Sequence, residues 1–205
     1  MSFPACDGVF EGIYDSPAAS ESTGFGFIRA DSSTLSGTVY IDATDYRRWT
    51  FIDFHTRKVD SLNVTDSVQK EPEEWDIAIH RYDVKTNAAA VLETGFTGFS
   101  ALRNAGAMPE GTYVEDVWTT DRIAIDMSGM MEGNIVYMES FYNEELSRWL
   151  DVDKSNMPPT YTLSNKVYMV KLEDGTYAAV RLTNYMNASG VKGFMTIDYI
   201  YPFEL

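Results

Sequence analysis

Methionine is the residue type whose distribution in this chain most clearly suggests chemistry. Six of the ten methionines lie between residues 103 and 160, and they are Met108, Met127, Met130, Met131, Met138 and Met157. Methionine usually fills gaps in a core, so a structural role is the default interpretation. Met108 and the Met130–Met131 pair, however, lie in segments rich in glycine and proline, which favour turns over strand interiors. Two loop methionines that converge would suit a soft metal or a haem iron, because thioethers prefer iron(II) and copper(I) to hard cations.

Other reactive sites find little support in the sequence. Cys6 is the only cysteine, which excludes an internal disulfide and the zinc sites built on cysteine pairs. There is no Gly-x-Ser-x-Gly elbow and no glycine-rich phosphate loop. We interpret His80 as a hydrogen-bonded structural histidine and His55 as a surface residue. We therefore expect no enzymatic activity, although a glycosidase built on two facing carboxylates stays open with 31 acidic residues.

The net charge excludes two classes of partner. The chain of 205 residues has a formal net charge of −15 and a pI near 4.4, so it repels nucleic-acid phosphates and anionic lipid headgroups. No apolar run approaches the roughly 20 residues that a membrane-spanning helix needs. A hydrophobic content of 44% with 13 tyrosines and 11 phenylalanines is ample for one packed domain and favours strands.

The elements that must position the methionines are predicted to be strands. Residues 75–87 alternate in side-chain character and form the densest β-favouring run, which we interpret as one strand that starts buried and ends at a rim. A hairpin is predicted about the Asp174-Gly175 turn, and one short helix behind Ser140. Further strands are predicted at residues 37–42, 48–55, 59–64, 89–96, 122–127, 134–138 and 194–201. The sequence thus predicts an all-β domain over residues 26–205, with at most one or two short helices, behind a tether at residues 1–25.

The start of the chain leaves two interpretations open. Phe3-Pro4-Ala5-Cys6 ends in a small residue followed by cysteine, as a bacterial lipoprotein cleavage site does, but the basic and apolar regions of a signal peptide are missing. Cys6 is therefore either a lipidation site or a free thiol in the tether.

Several segments of the chain resemble the HmuY-like haem-binding lipoproteins of Gram-negative anaerobes. The likeness covers roughly residues 36 to 201 in order, and Cys6-Asp7-Gly8-Val9-Phe10 is similar to the start of a mature lipoprotein of this family, which favours lipidation of Cys6. The most specific segment is Trp75-Asp76-Ile77-Ala78-Ile79-His80-Arg81-Tyr82-Asp83-Val84-Lys85-Thr86-Asn87. Similar segments also lie at residues 40–43, 49–54, 93–97, 126–131 and 192–195.

The resemblance implies a hand-shaped, antiparallel all-β fold that binds haem between loops and passes it to an outer-membrane receptor. Such a protein would face the cell exterior on a lipid anchor or be secreted, with host haem proteins as candidate sources. Family members hold the iron with two axial histidines or two axial methionines. No histidine follows His80, so the resemblance implies Met108 as one ligand and Met131 or Met130 as the other, with Met127 as the third choice.

The same resemblance suggests how the rest of the site is built. We expect haem edge-on between residues 104–112 and 128–133, with aromatic side chains against the ring and an arginine near the propionates. Binding should tighten on reduction, because thioethers are weak donors to iron(III). The alternative is a cell-surface interaction or carbohydrate-binding β-module that binds no haem. The expected aromatic residues are Tyr113, Trp118 and Tyr137, and the arginines are Arg103 and Arg122.

Overall fold

The fold, seen in a computed structural model that describes residues 24–155 and 158–205, consists almost wholly of strands. The predicted tether at residues 1–25 lies outside the described residues except for Gly24 and Phe25, and Cys6 lies outside them entirely. The all-β prediction with one or two short helices is confirmed. The elements are β1 (Gly26–Asp31), β2 (Ser36–Asp42), β3 (Arg48–Asp53), β4 (Lys58–Asn63), β5 (Ile77–His80), β6 (Asp83–Thr86), β7 (Ala90–Glu93), α1 (Phe99–Asn104), β8 (Val114–Glu115), β9 (Val117–Gly129), a 3₁₀ turn (Met130–Glu132), β10 (Asn134–Tyr142), α2 (Glu144–Ser147), β11 (Leu150–Asp153), β12 (Thr160–Leu163), β13 (Tyr168–Lys171), β14 (Tyr177–Met186) and β15 (Lys192–Ile200).

Two antiparallel sheets and two separate ribbons make up the domain. The larger sheet has seven strands in the order β1-β2-β15-β14-β13-β7-β8, and the smaller has four in the order β4-β3-β5-β6. Among the described residues, β9 and β10 pair only with each other and form the long ribbon, and β11 and β12 form the short ribbon in the same way. No α-helix in the described part of the chain is long and apolar enough to cross a membrane.

The alternation of side chains along the strands divides the apolar residues into three clusters. The main core lies between the two sheets and includes Ile77 and Val170. The opposite face of the seven-stranded sheet carries the α1 cluster, where Leu102 of α1 packs on Met169. The outer face of the four-stranded sheet carries the ribbon cluster, where Ile123 of the long ribbon packs with Trp49 and its neighbours. Both sheets and the main core therefore lie between the α1 cluster and the ribbon cluster.

The prediction of one strand over residues 75–87 is wrong, because the segment is a tight hairpin. Strands β5 and β6 pair antiparallel, with His80 opposite Asp83. Arg81 turns the chain with a φ of 55°, in the left-handed region. Its guanidinium donates to the backbone carbonyls of Ala43 and Thr44 and lies 4.4 Å from the centre of the Tyr46 ring. These tertiary contacts stabilise the turn. A glycine or asparagine, which would have indicated a turn in the sequence, is absent from it.

The predicted helix is present, but its start differs from the expectation. Ser140 is buried within β10, and α2 begins after Asn143, whose side-chain oxygen accepts the backbone N–H of Leu146 at 2.8 Å. An asparagine in this position satisfies a free N–H of the first helical turn. Leu146 of α2 and Trp149, two residues after its end, reach the main core.

His80 has the structural role expected from the sequence. It is 1% exposed, and its Nε2 lies 2.6 Å from the carbonyl oxygen of Tyr46, to which the neutral ring donates. Burial lowers the pKa of His80 to about 4. The ring of His80 is therefore neutral in the folded state near pH 7. Because the side chain is buried, a ligand in solvent cannot reach it.

We expect the free energy of unfolding to fall in acid because of His80. The folded pKa lies below the unfolded value of about 6.5, so the contribution is complete above pH 6.5 and is lost as the pH falls towards 4. The loss by pH 4.5 should be about 2–3 kcal/mol. His80→Gln, which keeps a donor and does not titrate, should show a smaller loss in urea unfolding at pH 7 and pH 4.5. The same loss in both proteins would contradict this origin.

Candidate functional site

The long ribbon ends in a turn that presents two methionines to solvent. The 3₁₀ turn Met130–Glu132 joins β9 to β10, and Gly133 closes it with a φ of 77°, which a residue with a side chain rarely adopts. Met131 is 85% exposed and Met130 is 40% exposed. We call this turn the ribbon tip. It places two thioethers side by side where a ligand can reach them.

Apolar side chains are also exposed along the length of the ribbon. The rings of Trp118 and Phe141 meet edge to face, with their centres 5.1 Å apart, although more than half of each side chain remains exposed. Large apolar patches on a protein surface mark sites for ligands or partners. The exposed apolar residues of the ribbon, besides the tip methionines, are Val117, Trp118, Val136, Tyr137 and Phe141.

The root of the ribbon is fixed to the four-stranded sheet by Asp116. Its carboxylate accepts the backbone N–H of Thr86 at 2.7 Å, the hydroxyl of Thr86 at 2.8 Å and the side-chain N–H of Asn143 at 2.9 Å. The backbone N–H of Asn143 in turn donates to the carbonyl of Val84 at 2.7 Å. Burial raises the pKa of Asp116, and these hydrogen bonds oppose the rise. Both strands of the ribbon are thus tied to β6 where they leave the sheets.

A cavity of about 660 Å³ lies between the ribbon root and the sheet. This volume is within the range of about 300–1,000 Å³ that is usual for small-molecule sites. The ammonium of Lys85 pairs with Glu71 and lies 4.7 Å from the centre of the Trp49 ring. Aromatic, acidic, amide and thioether side chains line the rest of the cavity. Among them are Trp75, Asn87, Asp116, Trp118, Met138 and Phe141.

Asp83, the first residue of β6, is close enough to two cationic residues to be affected by their charges. Burial raises the pKa of Asp83 to about 6, and the positive charges of Lys154 and Arg122 oppose that rise. Arg122 belongs to β9 of the long ribbon, and Lys154 follows β11 of the short ribbon. Asp83 therefore lies within electrostatic range of one residue of the long ribbon and of one residue that follows the short ribbon.

The site residues predicted from the sequence fall into two separate groups. Met108 is half-buried against the α1 cluster together with Tyr113, whose ring meets that of Tyr177 at 6.2 Å. Arg103 lies in α1 and donates to the carbonyl of Thr34 at 2.8 Å. The second group belongs to the long ribbon and comprises Met127, Met130, Met131, Tyr137, Trp118 and Arg122.

The contacts of the described residues do not bring these two groups together. Met108 packs on the outer side of the seven-stranded sheet, and the ribbon packs on the outer side of the four-stranded sheet. The slot expected between residues 104–112 and 128–133 is therefore not formed by those contacts. Met108 and Met131 as an axial pair stay a prediction. Met157, between β11 and β12 in the sequence, lies outside the described residues.

The groups that position the ribbon were not predicted from the sequence. Asp116 contacts Thr86 across 30 residues of sequence, and Lys85 meets Trp49 from another strand. Such pairs leave no local spacing pattern, because their proximity depends on which strands pair. The exposure of Met130 and Met131 was predictable, since Gly129 and Gly133 flank them.

The fold and the ribbon define an all-β binding module with an exposed apolar arm. Residues 45–199 match the family model described as HmuY protein. The chain therefore belongs to the HmuY family.

Three solved structures resemble the chain. A proposed HmuY-like haem-binding protein from Bacteroides vulgatus ATCC 8482 is 89% identical over 89% of this chain and 100% of that chain, with a TM-score of 0.86. A proposed lipoprotein from Bacteroides fragilis NCTC 9343 is 55% identical over 88% of this chain and 97% of that chain, with a TM-score of 0.85. The apo HmuY analogue of Tannerella forsythia is 26% identical over 80% of this chain and 94% of that chain, with a TM-score of 0.69. The comparison with curated proteins gave no match.

Proposed function

We propose that the protein binds haem without catalysis and that the ribbon tip supplies an axial thioether to the iron. The observation that carries this proposal is the exposure of Met131, at 85%, beside Met130 on a turn closed by Gly133. Exposing two large apolar side chains at one turn costs solvation free energy that a ligand would recover. Membership of the HmuY family and the haem-binding description of the relative from B. vulgatus support the same ligand.

The residues of the long ribbon have suitable chemistry for the rest of the porphyrin. Tyr137 is 41% exposed on β10, where it pairs with Ala124 of β9, and offers an aromatic face. Arg122 provides a positive charge for a propionate. Met127 is half-buried two residues before the end of β9 and is the third choice as a ligand.

The second axial ligand is the open part of the proposal. The family resemblance implies Met108, and ligation by both Met108 and Met131 would require the two sides of the molecule to approach each other. A second thioether from Met127, which belongs to the long ribbon, would need no such movement. Leucine variants at each position separate these cases.

We further propose that the protein acts at the cell exterior. Lipidation at Cys6 would anchor it to the outer membrane, and an unlipidated form would be secreted. In either form it would take haem from host haem proteins and pass it to an outer-membrane receptor. The relative from B. fragilis, described as a proposed lipoprotein, supports the anchored form.

A haem titration with and without dithionite tests the proposed function. We expect the reduced complex to show the narrow Soret band and resolved α and β bands of six-coordinate iron, and ferric haem to bind at least tenfold more weakly. Spectra that equal those of free haem in both redox states would overturn the proposal.

Carbohydrate binding is the second candidate function. The cavity at the ribbon root combines the exposed Trp118–Phe141 pair with the carboxylate of Asp116 and the amide of Asn87. An aromatic face with nearby hydrogen-bonding groups is a suitable lining for a sugar. Saturable glycan binding by a protein that stays colourless with haem would favour this candidate.

A further inference from the structure

His55 joins three carboxylates at the end of the molecule where β3 turns into β4. Its Nδ1 lies 3.3 Å from the carboxylate of Asp76 and 3.7 Å from Oδ1 of Asp53. Its Nε2 lies 3.1 Å from Oδ2 of Asp174, in the turn between β13 and β14. The sequence interpretation of His55 as a surface residue with no special role missed this cluster, because Asp76 and Asp174 reach it only through tertiary contacts.

The two inner carboxylates are buried and held in place. Asp53 is 5% exposed and Asp76 is 6% exposed. Asp53 accepts the backbone N–H groups of His55 at 2.8 Å and Thr56 at 3.1 Å, and Asp76 accepts that of Phe54 at 2.6 Å. Oδ2 of Asp53 also accepts the hydroxyl of Thr56 and keeps one lone pair, while the two hydrogen bonds to Asp76 fall on its Oδ2 and leave Oδ1 for another partner. The donor atoms are thus fixed by the fold before any ligand arrives.

A cavity of about 320 Å³ opens on the cluster. Among the described residues that line it, His55 is the only one that can carry a positive charge against these carboxylates. Buried carboxylates are normally paired with a cation or a metal. The carboxylates that line the cavity with His55 are Asp53, Glu73, Glu74, Asp76, Glu173 and Asp174.

The distances suit a small divalent ion. One donor atom from each of Asp53, His55 and Asp76 can be chosen so that all three lie within 4.8 Å of one another. Ligands at about 2.1 Å from a tetrahedral zinc ion are separated by about 3.4 Å, close to the 3.3 Å between His55 Nδ1 and Oδ1 of Asp76. The imidazole nitrogen favours a transition metal over calcium or magnesium, which prefer oxygen ligands.

We propose that Asp53, His55 and Asp76 form a binding site for a divalent transition metal ion of the zinc type. Asp174 covers the site from the other sheet. The ion replaces the contact between His55 and Asp76 and links the β3–β4 turn to the segment before β5. The site is separate from the ribbon tip and does not depend on the proposed haem binding.

Calorimetric titration of the tag-free, chelator-treated protein with Zn²⁺ alone tests this site. We expect one zinc ion per chain, a higher melting temperature with zinc, and at least tenfold weaker binding for His55→Gln. Asp174→Asn should weaken binding to a smaller extent. Both positions are substantially exposed, so both variants should fold, whereas Asp53 and Asp76 hold backbone N–H groups and are unsuitable for substitution.

Asp31→Asn is the matched control, because Asp31 also caps a turn, through Ser33, but has no histidine beside it. It should bind zinc as the unaltered protein does. Co²⁺ should give visible absorption bands in the unaltered protein and lose them in His55→Gln. Absence of zinc binding, or equal binding by His55→Gln, would overturn the proposal. A failed haem titration would leave these results unchanged, so the two proposals are tested independently.

Discussion

Replacing Met131 with leucine is expected to abolish six-coordinate ligation in the reduced haem complex and to weaken haem binding at least tenfold. Leucine keeps the apolar volume but lacks the sulfur that would bind iron(II). Because Met131 is 85% exposed, the substitution should leave folding unaffected. The measurement is a titration with haem in dithionite, followed through the Soret, α and β bands.

Met130→Leu is the matched control, since Met130 is the neighbouring residue of the same turn. If Met130 is the ligand instead, the effects of the two variants exchange. An unchanged six-coordinate spectrum of the reduced Met130→Leu/Met131→Leu double variant would contradict axial ligation by the ribbon tip. It would not contradict haem binding itself.

Leucine variants at Met108, Met127 and Met157 address the second ligand. Met108 is half-buried against the α1 cluster, so leucine is preferable to alanine because it preserves the packing. Both sheets separate Met108 from the ribbon cluster. We therefore expect the reduced haem complex of Met108→Leu to show the same spectrum as the unaltered protein, unless haem binding brings the α1 cluster and the long ribbon together. Loss of the spectrum in Met108→Leu would support the pair implied by the family resemblance.

Replacing Asp116 with alanine is expected to lower the free energy of unfolding by about 2–4 kcal/mol. The substitution leaves the backbone N–H of Thr86 and one side-chain N–H of Asn143 without their acceptor, and both residues are buried. The hydroxyl of Thr86 keeps the carbonyl of Ala89 at 3.0 Å. An unsatisfied buried donor costs about 1–3 kcal/mol, and a typical domain has only about 5–15 kcal/mol of stability in total. Urea unfolding measures the change directly.

Asp126→Ala is the control for Asp116, because Asp126 is an exposed aspartate of the same ribbon that accepts hydrogen bonds from Ser128, two residues away. It should leave stability unchanged. A loss below 1 kcal/mol for Asp116→Ala would show that Asp116 does not hold the root of the ribbon.

The strands were predictable wherever residue type alternated and a turn residue marked the end. Gly175 follows Asp174 with a φ of 86°, and the hairpin predicted there is present as β13 and β14. Met195, Ile197 and Tyr199 reach the main core from one face of β15, as their spacing implied. The turn at Arg81 was missed because its conformation depends on carbonyls and rings contributed by distant residues.

The candidate site was only partly predictable, for the same physical reason. Glycines on either side of Met130 and Met131 indicated an exposed turn, and the structure has one. The side of the molecule on which Met108 lies depends on the packing of α1 against the seven-stranded sheet, which no local pattern encodes. The cluster around His55 likewise depends on two turns that only the tertiary fold brings together.

Hydrogen exchange of the protein with and without reduced haem, measured peptide by peptide, tests the central claim most directly. The claim is that the tip of the long ribbon binds haem. We expect slower exchange over residues 126–137 when haem is bound. Unchanged exchange in this segment, with protection confined to residues 104–112 or to the cavity at the ribbon root, would contradict it.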